Sequence, residues 1–168
     1  MRAARLHAAR DVRIENVPTP QPDAGEVLVK VRAVAICPSD WRMWDAADAG
    51  GAPLSEPLIQ GHEFAGEIIA TGEGVNDIEI SARVAVEPSW HCGHCDMCQR
   101  GFFNICRNIR FPSFPPVNGA LAEFIVCPRI AVHEIPDNMS FAEGALIEPL
   151  GVALHAMRLA FGESCCQS

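Results

Sequence analysis

Cys92, Cys95, Cys98 and Cys106 follow one another as Cys-x2-Cys-x2-Cys-x7-Cys. Four soft thiolates this close together suit a closed tetrahedral zinc site, which cross-links a loop and carries no redox chemistry. An iron–sulfur cluster is the competing metal. The bacterial ferredoxin run, however, sets its fourth cysteine three residues on and follows it with proline, whereas here seven residues intervene and Arg107 comes next. Unrelated buried thiols would sit in an apolar stretch, and this one is rich in glycine and histidine. His91 and His94 are read as neighbours of the site. A zinc closed by four thiolates has no vacant position for a substrate, so chemistry has to lie elsewhere.

A second set is scattered along the chain. Cys37 follows a β-branched run, His62 and Glu63 stand together in Gly61-His-Glu-Phe-Ala-Gly66, and Glu148 lies in Leu146-Ile-Glu-Pro-Leu150. One cysteine, one histidine and one carboxylate would give zinc three ligands and leave an open position for water or an alcohol, which is a catalytic arrangement. Taken singly, each residue has a plainer reading. A lone cysteine at a strand end is usually structural, and a lone histidine is usually on the surface or satisfied in the core. Glu148 is more telling, because a carboxylate among Ala145, Leu146, Ile147, Leu150 and Val152 is costly to bury unless paired or metal-bound. The residues alone leave the metal role open, and with it the choice between Glu63 and Glu148.

The elements that must position these groups read as mostly β. Val12 to Val17 alternates, Pro18 to Gly25 is a proline-rich loop, and Glu26 to Ile36 is a long β-branched run. Pro38 to Pro57 predicts a short helix and a loop. Further short strands are expected over Phe64 to Ala70, Arg83 to Val86, Leu121 to Val126 and Ala131 to Ile135. Glu87 to Asn118 is too long and irregular for a plain connection, which fits a cross-linked loop. Ser140 and Glu143 form a capping-box pattern opening the apolar run Phe141 to Phe161, predicted as one helix kinked at Pro149. The 168 residues make one domain, placed at 1–161, with 162–168 as an irregular tail.

A net charge of -8 without blocks of like charge argues against nucleic acid as a partner. No segment has the roughly 18 uninterrupted apolar residues of a membrane span. Asp11 and Glu15 arrive too early for a leader peptide. The expectation is a cytoplasmic protein whose cysteines hold metal or stay as thiols.

From Met1 to Lys30, through Gly-His-Glu and the cysteine loop to Ile-Glu-Pro-Leu, the motifs stand in one order along nearly the whole chain. In that order the chain resembles the N-terminal, GroES-like catalytic domain of the medium-chain dehydrogenase/reductase family. The resemblance implies a mainly β fold with short helices: a partly open β-barrel with a structural-zinc loop and C-terminal helices. It also implies two zinc ions per chain. Cys37, His62 and Glu148 would hold the catalytic one, with Glu63 an exchanging ligand or close neighbour, and Cys92, Cys95, Cys98 and Cys106 would hold the structural one. Asp40 would orient His62, and Ser39 would supply the hydroxyl that passes the substrate proton outward. Ala145 to Leu150 and Phe111 to Ala122 are similar to the sorbitol, xylitol and threonine dehydrogenase branches, which implies an alcohol or polyol substrate and hydride transfer to NAD(P).

The departures matter as well. Pro38 replaces the usual Gly or Arg, Arg42 and Met43 stand where relatives often hold His and Tyr, and Ser81-Ala82-Arg83-Val84 replaces Gly-Asp-Arg-Val. His155 is expected to pack, and Cys127, Cys165 and Cys166 have no assigned role. After Gly162 the family continues into a Rossmann domain with a Gly-x-Gly-x-x-Gly turn. Here Glu163-Ser164-Cys-Cys-Gln-Ser follows, and Gly72-Glu73-Gly74 cannot substitute because Asp77 takes the third glycine position. The resulting expectation is a truncated product, inactive alone, with no NAD(P) site on this chain and without the oligomer of its longer relatives. The alternative is a non-catalytic, zinc-bound scaffold or interaction module.

Overall fold

β-Branched and apolar residues at every second position produce eight strands in the computed structural model, which describes residues 1–162. The rest of the expected tail, with Cys165 and Cys166, lies outside the described residues. The strands are β1 (Arg2–Ala8), β2 (Asp11–Asn16), β3 (Glu26–Ala35), β4 (Leu58–Ile59), β5 (Glu63–Thr71), β6 (Arg83–Val86), β7 (Phe124–Pro128) and β8 (Val132–Glu134). Four helices accompany them: α1 (Pro38–Ala46), α2 (Asp96–Gln99), α3 (Phe141–Ala145) and α4 (Ile147–Phe161). One sheet has the order β2-β1-β4 and the other β7-β3-β5-β6-β8. Among the described residues every strand pair is antiparallel, so they contain no parallel, dinucleotide-binding sheet.

The main core is one face of the larger sheet. Val27 and Val29 of β3, Phe64 and Ile68 of β5, Val84 and Val86 of β6, and Ile125 and Cys127 of β7 alternate along their strands and are buried together. A smaller cluster of Leu6, Met43, Ala49 and Leu58 seats α1 against the three-stranded sheet. No helix of the described residues is long and apolar enough to cross a membrane.

Three expectations need correction. The strand expected from Leu121 begins only at Phe124, because the Leu121 N–H donates to the Gln60 carbonyl and its own carbonyl accepts from Ala4 N–H, outside the main ladder. The helix expected from 141 to 161 is two helices. Pro149 has no N–H, and its ring would press on the carbonyl four residues back, at Ala145. The chain therefore breaks at Leu146, and Pro149 falls in the first turn of α4, where it is tolerated. The Ser140 cap itself forms, with its hydroxyl accepting from Glu143 N–H at 3.2 Å and Glu143 accepting from Ser140 N–H at 2.7 Å. Thirdly, the apolar run around Glu148 is not a core. No residue of α4 is buried, Leu146, Leu150 and Val152 are exposed, and His155 is exposed rather than packed.

Ser81, where glycine is usual in the resemblance, has a φ of 74°, and its N–H donates to the Ile68 carbonyl at 2.7 Å. A Cβ in the left-handed region meets the following carbonyl, a strain that glycine lacks. Ser81→Gly is expected to stabilise the chain by about 1 kcal/mol despite the added freedom of the unfolded state. A urea midpoint that stays put or falls would count against this account.

Candidate functional site

A short backbone ladder closes the base of the cysteine loop, where Trp90 and Arg110 exchange N–H···O bonds of 3.0 Å. Within it, Cys95 immediately precedes α2, Cys98 lies on α2, and a 3-10 turn over Phe103–Ile105 delivers Cys106. The sulfurs converge: Cys95 to Cys98 is 3.5 Å, Cys92 to Cys106 is 3.5 Å and Cys95 to Cys106 is 3.8 Å. Four ligands about 2.3 Å from zinc stand about 3.8 Å apart at the corners of a tetrahedron, while a disulfide needs about 2.05 Å. All six cysteines among the described residues are unbridged.

The surroundings treat the four thiols unequally. A bond from His94 N–H, helped by Cys95 N–H and Asn108, brings Cys92 down to about 5, whereas burial, followed by the neighbouring Cys95 and Cys106, pushes Cys98 up to about 12. Four thiolates crowded this closely need a cation. His91 and His94 stand beside the set and outside it: His94 Nδ1 lies 2.8 Å from the Cys92 carbonyl, and His91 stacks on Phe103.

The second set assembles where two paired strands meet. Ala35, the last residue of β3, pairs with Glu63, the first of β5, so Cys37 just beyond one strand comes beside His62 just before the other. A ligand atom from each of Cys37, His62 and Glu63 lies within 4.8 Å of the others. His62 and Glu63 are buried and Cys37 is half-buried. Gly61 makes the corner, with φ of 92°, and a Cβ there would stand 3.0 Å from Val34 and 3.1 Å from Leu121. Glycine is therefore required ahead of His62 for both conformation and space.

Asp40 holds this corner from behind. It is 4% exposed, and its carboxylate accepts from Cys37 N–H at 3.1 Å, Gly61 N–H at 3.3 Å and the Ser113 hydroxyl at 3.0 Å. Ser113 in turn accepts from Gly61 N–H at 3.0 Å, and Gln60 donates to the Asp40 carbonyl at 2.9 Å. Burial alone would raise Asp40, but His62 and the Cys37 and Ser113 donors outweigh it and hold the carboxyl below its ordinary range. His62 Nδ1 faces Asp40 Oδ1 at 3.6 Å, too far for a hydrogen bond, and it is the one buried side-chain nitrogen or oxygen among the described residues without a partner. Burial lowers His62, yet Asp40, Glu148 and Glu63 together raise it.

Glu148 lies outside the 4.8 Å group. It is half-buried in the first turn of α4, where burial first, and then the negative charge of Glu63, push its carboxyl up. Sulfur, imidazole and carboxylate converging within 4.8 Å form a donor set that suits zinc. Ser39 is exposed, one residue from Asp40, and lines a cavity of about 590 Å³.

Sequence reading missed Ser113, Gln60 and the corner role of Gly61. Ser113 is 73 positions from Asp40 in sequence, and its only distinction is a φ of 73° that no residue type announces.

The family model for the alcohol dehydrogenase GroES-like domain matches residues 23–137. Sorbitol dehydrogenase of Bacillus subtilis is 43% identical over 156 residues, covering 93% of this chain and 44% of that protein. The crystal structure of galactitol-1-phosphate dehydrogenase from Escherichia coli superposes with a TM-score of 0.87 at 34% identity, covering 96% of this chain and 46% of that one. A short chain alcohol dehydrogenase from E. coli, solved with NADH, gives a TM-score of 0.84 at 32% identity over 94% of this chain and 44% of its own. The chain thus spans less than half the length of the relatives it matches.

Proposed function

The chain belongs to the alcohol dehydrogenase GroES-like domain family, and from that membership and the site geometry we propose that it is the catalytic-domain portion of a zinc-dependent, NAD(P)-linked alcohol or polyol dehydrogenase. The observation that carries this reading is the convergence of Cys37, His62 and Glu63 at the joined ends of β3 and β5, with Nδ1 of the buried His62 imidazole turned toward Asp40. Similarity to a sorbitol dehydrogenase supports the polyol class.

Cys37 and His62 are the ligands that a catalytic zinc would take, with Glu63 or Glu148 as the carboxylate. When bound there, zinc supplies a Lewis acid that lowers the pKa of an alcohol. Asp40 faces Nδ1 of His62 and leaves Nε2 free to act as a ligand. Glu148, on α4, feels the negative charge of Glu63, and a cation bound between them would offset that repulsion. Ser39, exposed at the cavity, is the hydroxyl that takes the substrate proton and passes it to solvent. A nicotinamide dinucleotide would supply the hydride acceptor, and among the described residues every strand pair is antiparallel, so they include no parallel sheet of the kind that binds one. Cys92, Cys95, Cys98 and Cys106 would hold the second, structural zinc.

Metal content after zinc loading tests the reading. Native mass spectrometry is expected to find two zinc ions per chain, one of which is lost in both Cys37→Ser and His62→Ala. One zinc, retained in both variants, would overturn the catalytic site and leave a structural-only zinc scaffold.

A further inference from the structure

Ser39, Arg42 and Ala46 stand at helical spacing along one face of α1, and all line the cavity of about 590 Å³, in which Ser39 is the wall residue two positions after Cys37. Arg42 is one turn from Ser39, roughly 5 Å along the helix, which is within reach of one short polyol chain. The other walls are aromatic and acidic: Trp41, Phe114, Asp45 and Asp48. Trp41 is 60% exposed and braced by Trp44, with ring centroids 4.6 Å apart, and Phe114 is 45% exposed. Flat, fixed rings at a cavity mouth offer apolar faces to a carbon skeleton.

The charges in this cavity are unevenly committed. Asp45 is paired with Arg10 at 2.6 Å, and Asp48 accepts from Gly51 N–H. Arg42 makes a single long bond, from Nε to the Pro38 carbonyl at 3.4 Å, and among the described residues no carboxylate pairs with it, although two line the same cavity. Its two terminal nitrogens therefore remain available as a planar fork, the geometry that binds carboxylate or phosphate through two parallel bonds. Lone pairs on Asp48 remain free to accept from hydroxyl groups.

We propose that this cavity selects a polyol with an anionic terminus, a phosphate or a carboxylate. Arg42 receives the anion, Trp41 and Phe114 hold the carbon chain, and the hydroxyl to be oxidised lies at Ser39. The inference rests on the polyol dehydrogenase reading above and names the substrate class of that same site.

Calorimetric titration of the zinc-loaded chain with sorbitol 6-phosphate, gluconate and sorbitol tests it, with zinc content measured on the same sample. One or both anionic probes are expected to bind about ten- to a hundredfold tighter than sorbitol, a margin that shrinks with added salt. Arg42→Gln is expected to abolish the margin, and Arg42→Lys, which keeps the charge and loses the fork, to keep part of it. The better of the two anionic probes identifies the group. Equal binding of all three probes, or a margin that survives Arg42→Gln, overturns the inference while a count of two zinc ions leaves the dehydrogenase reading standing. A count of one zinc overturns that reading and this inference with it.

Discussion

Cys98→Ser is expected to release one zinc ion and to lower the thermal midpoint of the zinc-loaded chain by about 10 °C or more. Binding of a structural zinc is itself folding free energy, about 10–16 kcal/mol in small zinc peptides at neutral pH. Losing one of four ligands forfeits several kcal/mol of it, and each kcal/mol moves the midpoint of a chain this size by roughly 2–4 °C. Cys98 is chosen because it is buried, so water cannot easily take the vacated corner. The loop it anchors contains little else: α2 has four residues, the 3-10 turn has three, and Phe102, Phe103 and Ile105 are exposed. Calorimetric melting with and without a chelator checks the cause, because the parent chain and the variant should converge once zinc is removed. An unchanged midpoint and two retained zinc ions would show that the loop holds itself together without metal.

Asp40→Ala is expected to cost about 3–5 kcal/mol, because it leaves buried donors unpaired and removes the charge facing His62. Cys37 N–H loses its acceptor and Gly61 N–H loses one of two, while the Ser113 hydroxyl must turn elsewhere. The start of α1 and the corner before β5 would loosen together, since Asp40 is bonded to both. Zinc affinity at the Cys37 site should fall about 10- to 100-fold, the usual effect of deleting a residue that orients a ligand. Asp40→Asn, which keeps the volume and an acceptor oxygen, should show a smaller loss on both scales. Urea unfolding and competitive zinc titration are the measurements. A stability change below about 1 kcal/mol would mean that water replaces the carboxylate and that the corner does not depend on it.

These two predictions differ in how far sequence alone could have reached them. The cysteine loop was legible because its ligands are local. Three fall within seven residues of chain and the fourth eight later, so spacing alone restricts the sulfurs to one small volume. The identity of the strands over Glu26–Ala35, Glu63–Thr71 and Arg83–Val86 was legible for a similar reason, since alternation along a strand is a property of neighbouring residues. Cys37, His62 and Glu63 could be named as candidates from their types and motifs, yet their meeting depends on the β3–β5 register, and one residue of slip would turn His62 to the opposite face.

Ser113, Gln60 and Glu148 mark the other side. The bond from Ser113 to Asp40 spans 73 residues, and no local pattern records such a closure. The apolar neighbours of Glu148 make its burial costly on paper, but apolar neighbours bury a residue only when another surface covers them, and Glu148 is half-buried. Leu150, Val152 and Leu159 are exposed along α4. The free fork of Arg42 was likewise undecidable from its type, because it depends on Asp45 having Arg10 as its partner across 35 residues. Sequence by itself thus determined the residue types able to bind metal, the local thiolate loop and the strand alternation, all of which arise from short-range geometry. Tertiary structure decided which distant groups meet, which carboxylates are already paired and which apolar stretch is covered, because those follow from register and packing between segments far apart in the chain.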